Sequence, residues 1–104
     1  MTTLAEVKAW AIKELNEWFA DNLDDPDPYD MVWQIADDSV VKCRAELVEV
    51  ALSDKEVLTH KNELGPSFDG GSTMLNWIAT AVFEIVHQVL SDRLDELQAE
   101  QEQA

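Results

Sequence analysis

The 104 residues carry 22 Asp and Glu against 7 Lys and Arg, a formal charge of −15 at pH 7, while 46% of the side chains are hydrophobic. That length holds one domain, residues 1–104, and excludes a two-domain enzyme. The four Trp, three Phe and abundant Val, Leu and Ile exclude a disordered acidic tail. The charge excludes direct binding to nucleic acid, whose phosphates must be neutralised by Lys and Arg, and it disfavours an anionic membrane surface. Basic partners or cations remain.

Cys43 is the single cysteine, so there is no internal disulfide and no multi-cysteine zinc site; this usage fits a reducing, cytoplasmic compartment. The opening MTTLAEVKAW has no basic stretch followed by an apolar run, so no signal peptide is expected. The most apolar stretch, Met74 to Leu90, is interrupted by Asn76, Glu84, His87 and Gln88 and reads as a buried helix rather than a membrane span.

In chain order, Thr3 and Glu6 form a Thr-x-x-Glu capping box that opens a first helix from about Leu4 to Asn22. Its apolar stripe is Leu4, Val7, Ala11, Leu15, Trp18 and Phe19, with Trp10 beside it. Asp27 before Pro28 caps a second helix, and Asp30 falls near its positive end. This helix, with Met31, Val32 and Ile35, is expected to be short and to give way near Asp37-Asp38-Ser39, where Ser39 can cap a third helix to about Leu52. Spacing alone leaves open whether these two are continuous. Ser53 or Asp54 can cap a brief fourth segment through about His60. The loop LGPSFDGGS comes next, with Phe68 packing inward, and Ser72 or Thr73 then starts a last helix reaching Gln98. Leu75, Ile78, Val82, Ile85, Val86 and Val89 make one face of it, widened by Met74, Trp77, Ala81, Phe83 and Leu90. No strand pattern or repeat is visible. The expected fold is all-α, a compact bundle of about four to five helices with a long C-terminal helix.

The acids are unevenly spread. Residues 13–38 hold nine of them and one base, a net −8, and residues 92–104 add −4, whereas residues 39–63 are nearly balanced. Glu14, Glu17 and Asp21 recur at i, i+3 and i+7, along one helix face. Asp92, Asp95, Glu96 and Glu100 repeat the pattern on the last helix. Like charges at such spacing destabilise a helix. A helix selected for stability alone would interleave Lys or Arg. The intervals are comparable to the roughly few-ångström separation of successive phosphates along a DNA strand.

Other chemistry finds no footing. Read from Asp25, DPDPYDMVWQIA lacks the glycine and glutamate of an EF-hand. His60 and His87 have no metal-ligand spacing, and His87, inside an apolar helix, reads as a hydrogen-bonded core histidine. GPSFDGG has no phosphate-loop Gly-Lys-Ser/Thr. Cys43 reads as a small, partly buried residue, and the four Trp as core or, for one or more of them, anchors of a dimer interface. With no catalytic constellation, the chain is expected not to be an enzyme and to carry no cofactor or metal.

The segment DPYDMVWQIADDSVVKCRAELVEVALS resembles the middle of the Ocr antirestriction proteins of phages, through Asp30, Ala36, Asp37 and Val40. The likeness extends to the helix order. A second likeness is to short uncharacterised phage proteins with a Glu-x-Gly-Pro-x-Phe-Asp-Gly loop, matched by Glu63, Gly65, Pro66, Phe68, Asp69 and Gly70. The tail QAEQEQA is less acidic than in the Ocr family, and the balanced stretch 39–63 fits a surface turned away from a target or a dimer contact. The resemblance implies a homodimeric phage protein that imitates bent DNA and occupies the DNA-binding groove of type I restriction–modification enzymes in the host cytoplasm. On that reading Glu14, Glu17, Asp21, Asp24, Asp25, Asp27, Asp30, Asp37 and Asp38 stand in for phosphates, and Asp92, Asp95 and Glu96 extend the track. The alternative is an acidic adaptor that binds one specific protein through an apolar, Trp-rich patch.

Overall fold

Thr3 starts the chain's first helix in the way its side chain dictates. In the computed structural model, which describes residues 3–57, 59 and 74–103, Thr3 Oγ1 accepts from the Glu6 backbone N–H at 3.1 Å. Its hydroxyl in turn donates to the Glu6 carboxylate at 3.0 Å. α1 (Leu4–Asp21) buries Leu4, Val7, Ala11, Leu15 and Phe19, while Trp10 and Trp18 are half-buried along the edge of that stripe. It ends where Asn22 Nδ2 donates to the Trp18 carbonyl at 2.8 Å, a side-chain substitute for the helix bonds that stop there.

After a short link, Asp27 and Pro28 begin α2 (Pro28–Cys43). The expected break at Asp37-Asp38-Ser39 does not occur. Val32, Ile35, Ala36, Ser39, Val40 and Cys43 form one unbroken buried stripe at helical spacing, so ending the helix at Asp37 would pull half of it from the core. Ser39 is fully buried and its hydroxyl donates to the Ala36 carbonyl at 2.7 Å, which is the mid-helix use of serine and not a cap. Changing Ser39 to Ala should therefore alter stability by less than about 0.5 kcal/mol in urea melts, whereas removing an N-cap costs about 1 kcal/mol. The break comes later, at the 3-10 turn Arg44–Glu46, followed by α3 (Leu47–Ser53).

At the end of α3, Ser53 Oγ donates to the Val50 carbonyl at 2.7 Å and accepts from the Leu4 N–H at 3.1 Å, tying this corner to the start of α1. Asp54 is the residue that caps the next segment: its Oδ1 accepts from the Glu56 N–H at 2.8 Å, and the backbone is again helical at 55–57. The segment's expected end at His60, the LGPSFDGGS loop, the caps Ser72 and Thr73 and the side chains of Met74, Leu75 and Trp77 lie outside the described residues.

α4 (Met74–Gln103) runs 30 residues, about 45 Å at 1.5 Å per residue, and passes the expected end at Gln98. Ile78, Ala81, Val82, Ile85, Val86, Leu90 and Leu94 are buried. Ala81 and Leu90 thus belong to the central seam, while Val89 is half-buried on its flank. α2 lies antiparallel to α1 across the short link and antiparallel to α4, with Tyr29 meeting Asp95 and Trp33 meeting Phe83. α1 and α4 therefore run in the same direction on either side of a shared core, as the architecture of packed helical layers requires. The described residues contain no strand, and no helix among them is long and apolar enough to cross a membrane. The long dimension of the molecule, 46 Å, matches α4. The last half-buried positions of that helix are Leu97 and Gln98, and residues 99–102 are exposed.

Candidate partner-binding surface

The antiparallel α1–α2 hairpin places the end of α1, the link and the start of α2 at one pole. α4, parallel to α1, brings its C-terminal half to the same pole. Two contacts fix this. Arg93 Nε donates to Asn16 Oδ1 at 3.0 Å, and the Tyr29 hydroxyl donates to Asp95 Oδ1 at 2.6 Å. The two acidic stretches of the sequence are thereby brought together within one chain: Glu17, Asp21, Asp24, Asp25, Asp27 and Asp30 from the hairpin, and Asp95 and Glu96 from α4.

All of these carboxylates are exposed. Arg93 bridges Glu96 at 2.9 Å and reaches Glu100 at 3.9 Å; among the described residues, no salt bridge engages the hairpin acids. Some have local duties. Asp25 Oδ1 accepts from the Asp27 N–H at 2.8 Å, and Asp30 Oδ2 accepts from Gln34 Nε2 at 3.1 Å. Asp27 occupies the N-cap position of α2 without a side-chain cap bond. Asp27 and Asp30 sit at the positive end of a helix, where a negative charge is favoured. Glu17 and Asp21 sit at the negative end of α1, whose last turn has no basic residue, where the same dipole opposes them. At Glu17 and Asp21, rigid backbone thus holds unneutralised charge in a place that helix stability disfavours.

The remaining acids border grooves along the helices. Asp37 and Asp38 are adjacent in sequence and diverge about 100° around α2. Asp37 borders a groove of 300 Å³ against α4 that is floored by Trp33, Val40, Ala79 and Phe83. Asp38 borders a groove of 390 Å³ against α1 and faces the half-buried Glu14 there. Asp92, whose Oδ1 accepts from Gln88 Nε2 at 3.0 Å, turns to a third groove, of 740 Å³, with Phe83, Glu84 and His87. Eight of the twelve sequence-derived residues thus form the pole; Glu14 and Asp92 lie one turn back along the helix faces of Glu17 and Glu96, and Asp37 and Asp38 lie along the length of α2.

His87 is not in the core. It is half-buried and stacks on Phe83, ring centroids 5.8 Å apart at 26°, while Phe83 meets Trp33 edge-on at 5.8 Å and 68°. Trp33 is 52% exposed, a large apolar ring on the surface and not a core residue. Cys43 is fully buried, and burial pushes its thiol pKa up, so it is an inert packing residue.

Tyr29 was missed as a structural contact because nothing local marks it. Its hydrogen bond to Asp95, then burial, then the Asp95 charge raise the phenol above its usual 10.0. A raised acid pKa means that this contact stabilises the fold below pH 10.0 and is lost as the pH climbs through the raised value. Tyr29 is the chain's one tyrosine, so its phenolate absorbance reads the site directly. The titration midpoint should lie above 10.0 and move down in Asp95→Asn.

No family model, no curated protein and no solved structure matches this chain.

Proposed function

We propose that the protein is a DNA-mimicking inhibitor that places its acidic pole in the basic DNA-binding groove of a host enzyme, with type I restriction–modification enzymes as the first target class and a homodimer as the working form. The observation that carries this reading is the pole itself. Exposed carboxylates on the α1–α2 hairpin lack ion-pair partners among the described residues, and they are held on helices anchored in one core. Because the carboxylates are positioned before binding, little ordering entropy is lost on association. A concentrated negative field also steers a basic groove over distance and makes association fast and salt-sensitive.

The test is binding to a purified type I restriction–modification enzyme with duplex DNA as competitor and salt varied. DNA should displace the protein, and raising salt from about 50 to 200 mM should weaken binding steeply, as it does for phosphate contacts. Binding that DNA leaves untouched would reject the mimic reading. Sedimentation of the free protein reports the dimer.

A second reading rests on Trp33 and Phe83. This aromatic pair borders a shallow groove, and Val41, 64% exposed, lies about two helical turns beyond Trp33 on α2. An acidic adaptor would dock a partner there, and such apolar docking should persist at salt that abolishes charge steering.

A further inference from the structure

The groove between α1 and α2 combines features that the acidic pole lacks. Trp10 and Trp18 stand on α1 about two helical turns apart, with Glu14 between them; Met31, Gln34, Ile35 and Asp38 face them from α2. The floor is apolar and aromatic, and one carboxylate rises from each helix. Among the described residues, neither Glu14 nor Asp38 is in a salt bridge. One end of the groove already accepts a cation: Lys42 Nζ lies 5.2 Å from the centre of the Trp10 ring. Among the described residues, the Trp18 end has no such resident.

We propose that this groove is a receptor for an arginine side chain presented by the protein's basic partner. The guanidinium would stack on the Trp18 indole and receive the Glu14 and Asp38 carboxylates on its edge. The volume, 390 Å³, admits one long side chain and not a folded element. A planar, weakly hydrated guanidinium suits an indole wall flanked by carboxylates better than an ammonium does, because it can stack and donate in its own plane at once. The assignment rests on the reading of the protein as a binder of basic surfaces and deepens it. Long-range charge brings the partner in, and this groove supplies a short-range, partly desolvated anchor of the kind that dominates binding energy. Lys42 is then the groove's own competitor, occupying the Trp10 face until a partner arrives.

The experiment titrates the intact protein with a tetra-arginine peptide and with a tetra-lysine peptide, following the four indole N–H resonances by NMR, each assigned with a Trp→Phe variant. Saturable shifts of Trp10 and Trp18, with the arginine peptide bound more tightly, are expected. Glu14→Gln/Asp38→Asn, two isosteric changes that leave the core untouched, should weaken that binding about tenfold. Lys42→Met should strengthen it by removing the competing ammonium. Equal binding of the two peptides, shifts confined to Trp33, or an unchanged affinity in the Glu14/Asp38 variant would each overturn the assignment. The peptide titration is independent of the restriction-enzyme assay. A type I enzyme that fails to bind rejects the target without touching the groove, and a silent groove leaves the acidic pole's competition with DNA to be judged alone.

Discussion

Asp21→Lys combined with Asp24→Lys should make the protein more stable and, if it acts as proposed, a weaker binder of a basic groove at the same time. Asp21 lies in the last turn of α1, a turn without a basic residue, and a cation there satisfies the helix dipole that the native carboxylate opposes. The introduced ammonium would also stand at i+4 from Glu17, the favourable order for a helical ion pair. Asp24 is exposed in the link, and among the described residues its side chain accepts no hydrogen bond, so reversing it removes repulsion and breaks nothing. The expected gain in Tm is about 2–5 °C at low salt, from interactions worth a few tenths of a kcal/mol each. Binding to a basic groove should fall about tenfold or more at low salt and by less at high salt, since the lost attraction is screened there. An acidic surface kept only for solubility predicts the gain in Tm with no loss of binding. The opposite signs are the signature of charge retained for recognition against its cost to the fold.

How much of this was legible in the chain differs from residue to residue. The Thr3 cap, the Asp27-Pro28 start and the buried stripe of α1 follow from local rules, because a hydroxyl three residues before a free N–H, or a proline at a helix start, acts within one turn. The position of the second break did not follow. Asp37-Asp38-Ser39 has the composition of a helix boundary, but burial of Ser39, Val40 and Cys43 outweighs it. The serine then satisfies its hydroxyl on the Ala36 carbonyl. Tertiary packing overrides a weak local preference in this way whenever the apolar stripe continues past it. Chain spacing located the acidic faces of the individual helices. Which faces become neighbours depends on how α1, α2 and α4 pack, and that is what gathers Asp21, Asp30 and Asp95 at one end and sets Glu14 opposite Asp38. His87 reads as a core residue from its place in an apolar helix and Trp33 from its residue type alone, since a ring near an apolar stripe gives the same pattern whether it caps the core or lies at its rim.

Leu90→Ala should be among the most damaging single core changes, and salt should partly rescue it. Leu90 is fully buried on α4, in the seam that α4 contributes to the core it shares with α1 and α2. Truncating a buried leucine costs about 2–5 kcal/mol through lost transfer energy and the cavity left behind, against a total stability of about 5–15 kcal/mol for domains in general. This chain works against that margin with a charge of −15, much of it gathered at one pole, so self-repulsion already opposes compaction. Screening shortens the reach of that repulsion from about 30 Å at 0.01 M salt to about 8 Å at 0.15 M. The wild-type Tm should therefore rise with added sodium chloride. The Leu90→Ala protein should melt well below the wild type at the lowest salt and recover part of that loss as salt is added, with its melting curve displaced downward throughout. A fold held mainly by surface ion pairs would lose stability with salt instead. The described pairs, Lys8–Glu56 at 2.9 Å and Arg93 with Glu96 and Glu100, are surface pairs of the kind worth about 0–1 kcal/mol each. They are too weak to reverse the trend, and the apolar seam through Leu90 is what holds the acidic pole together.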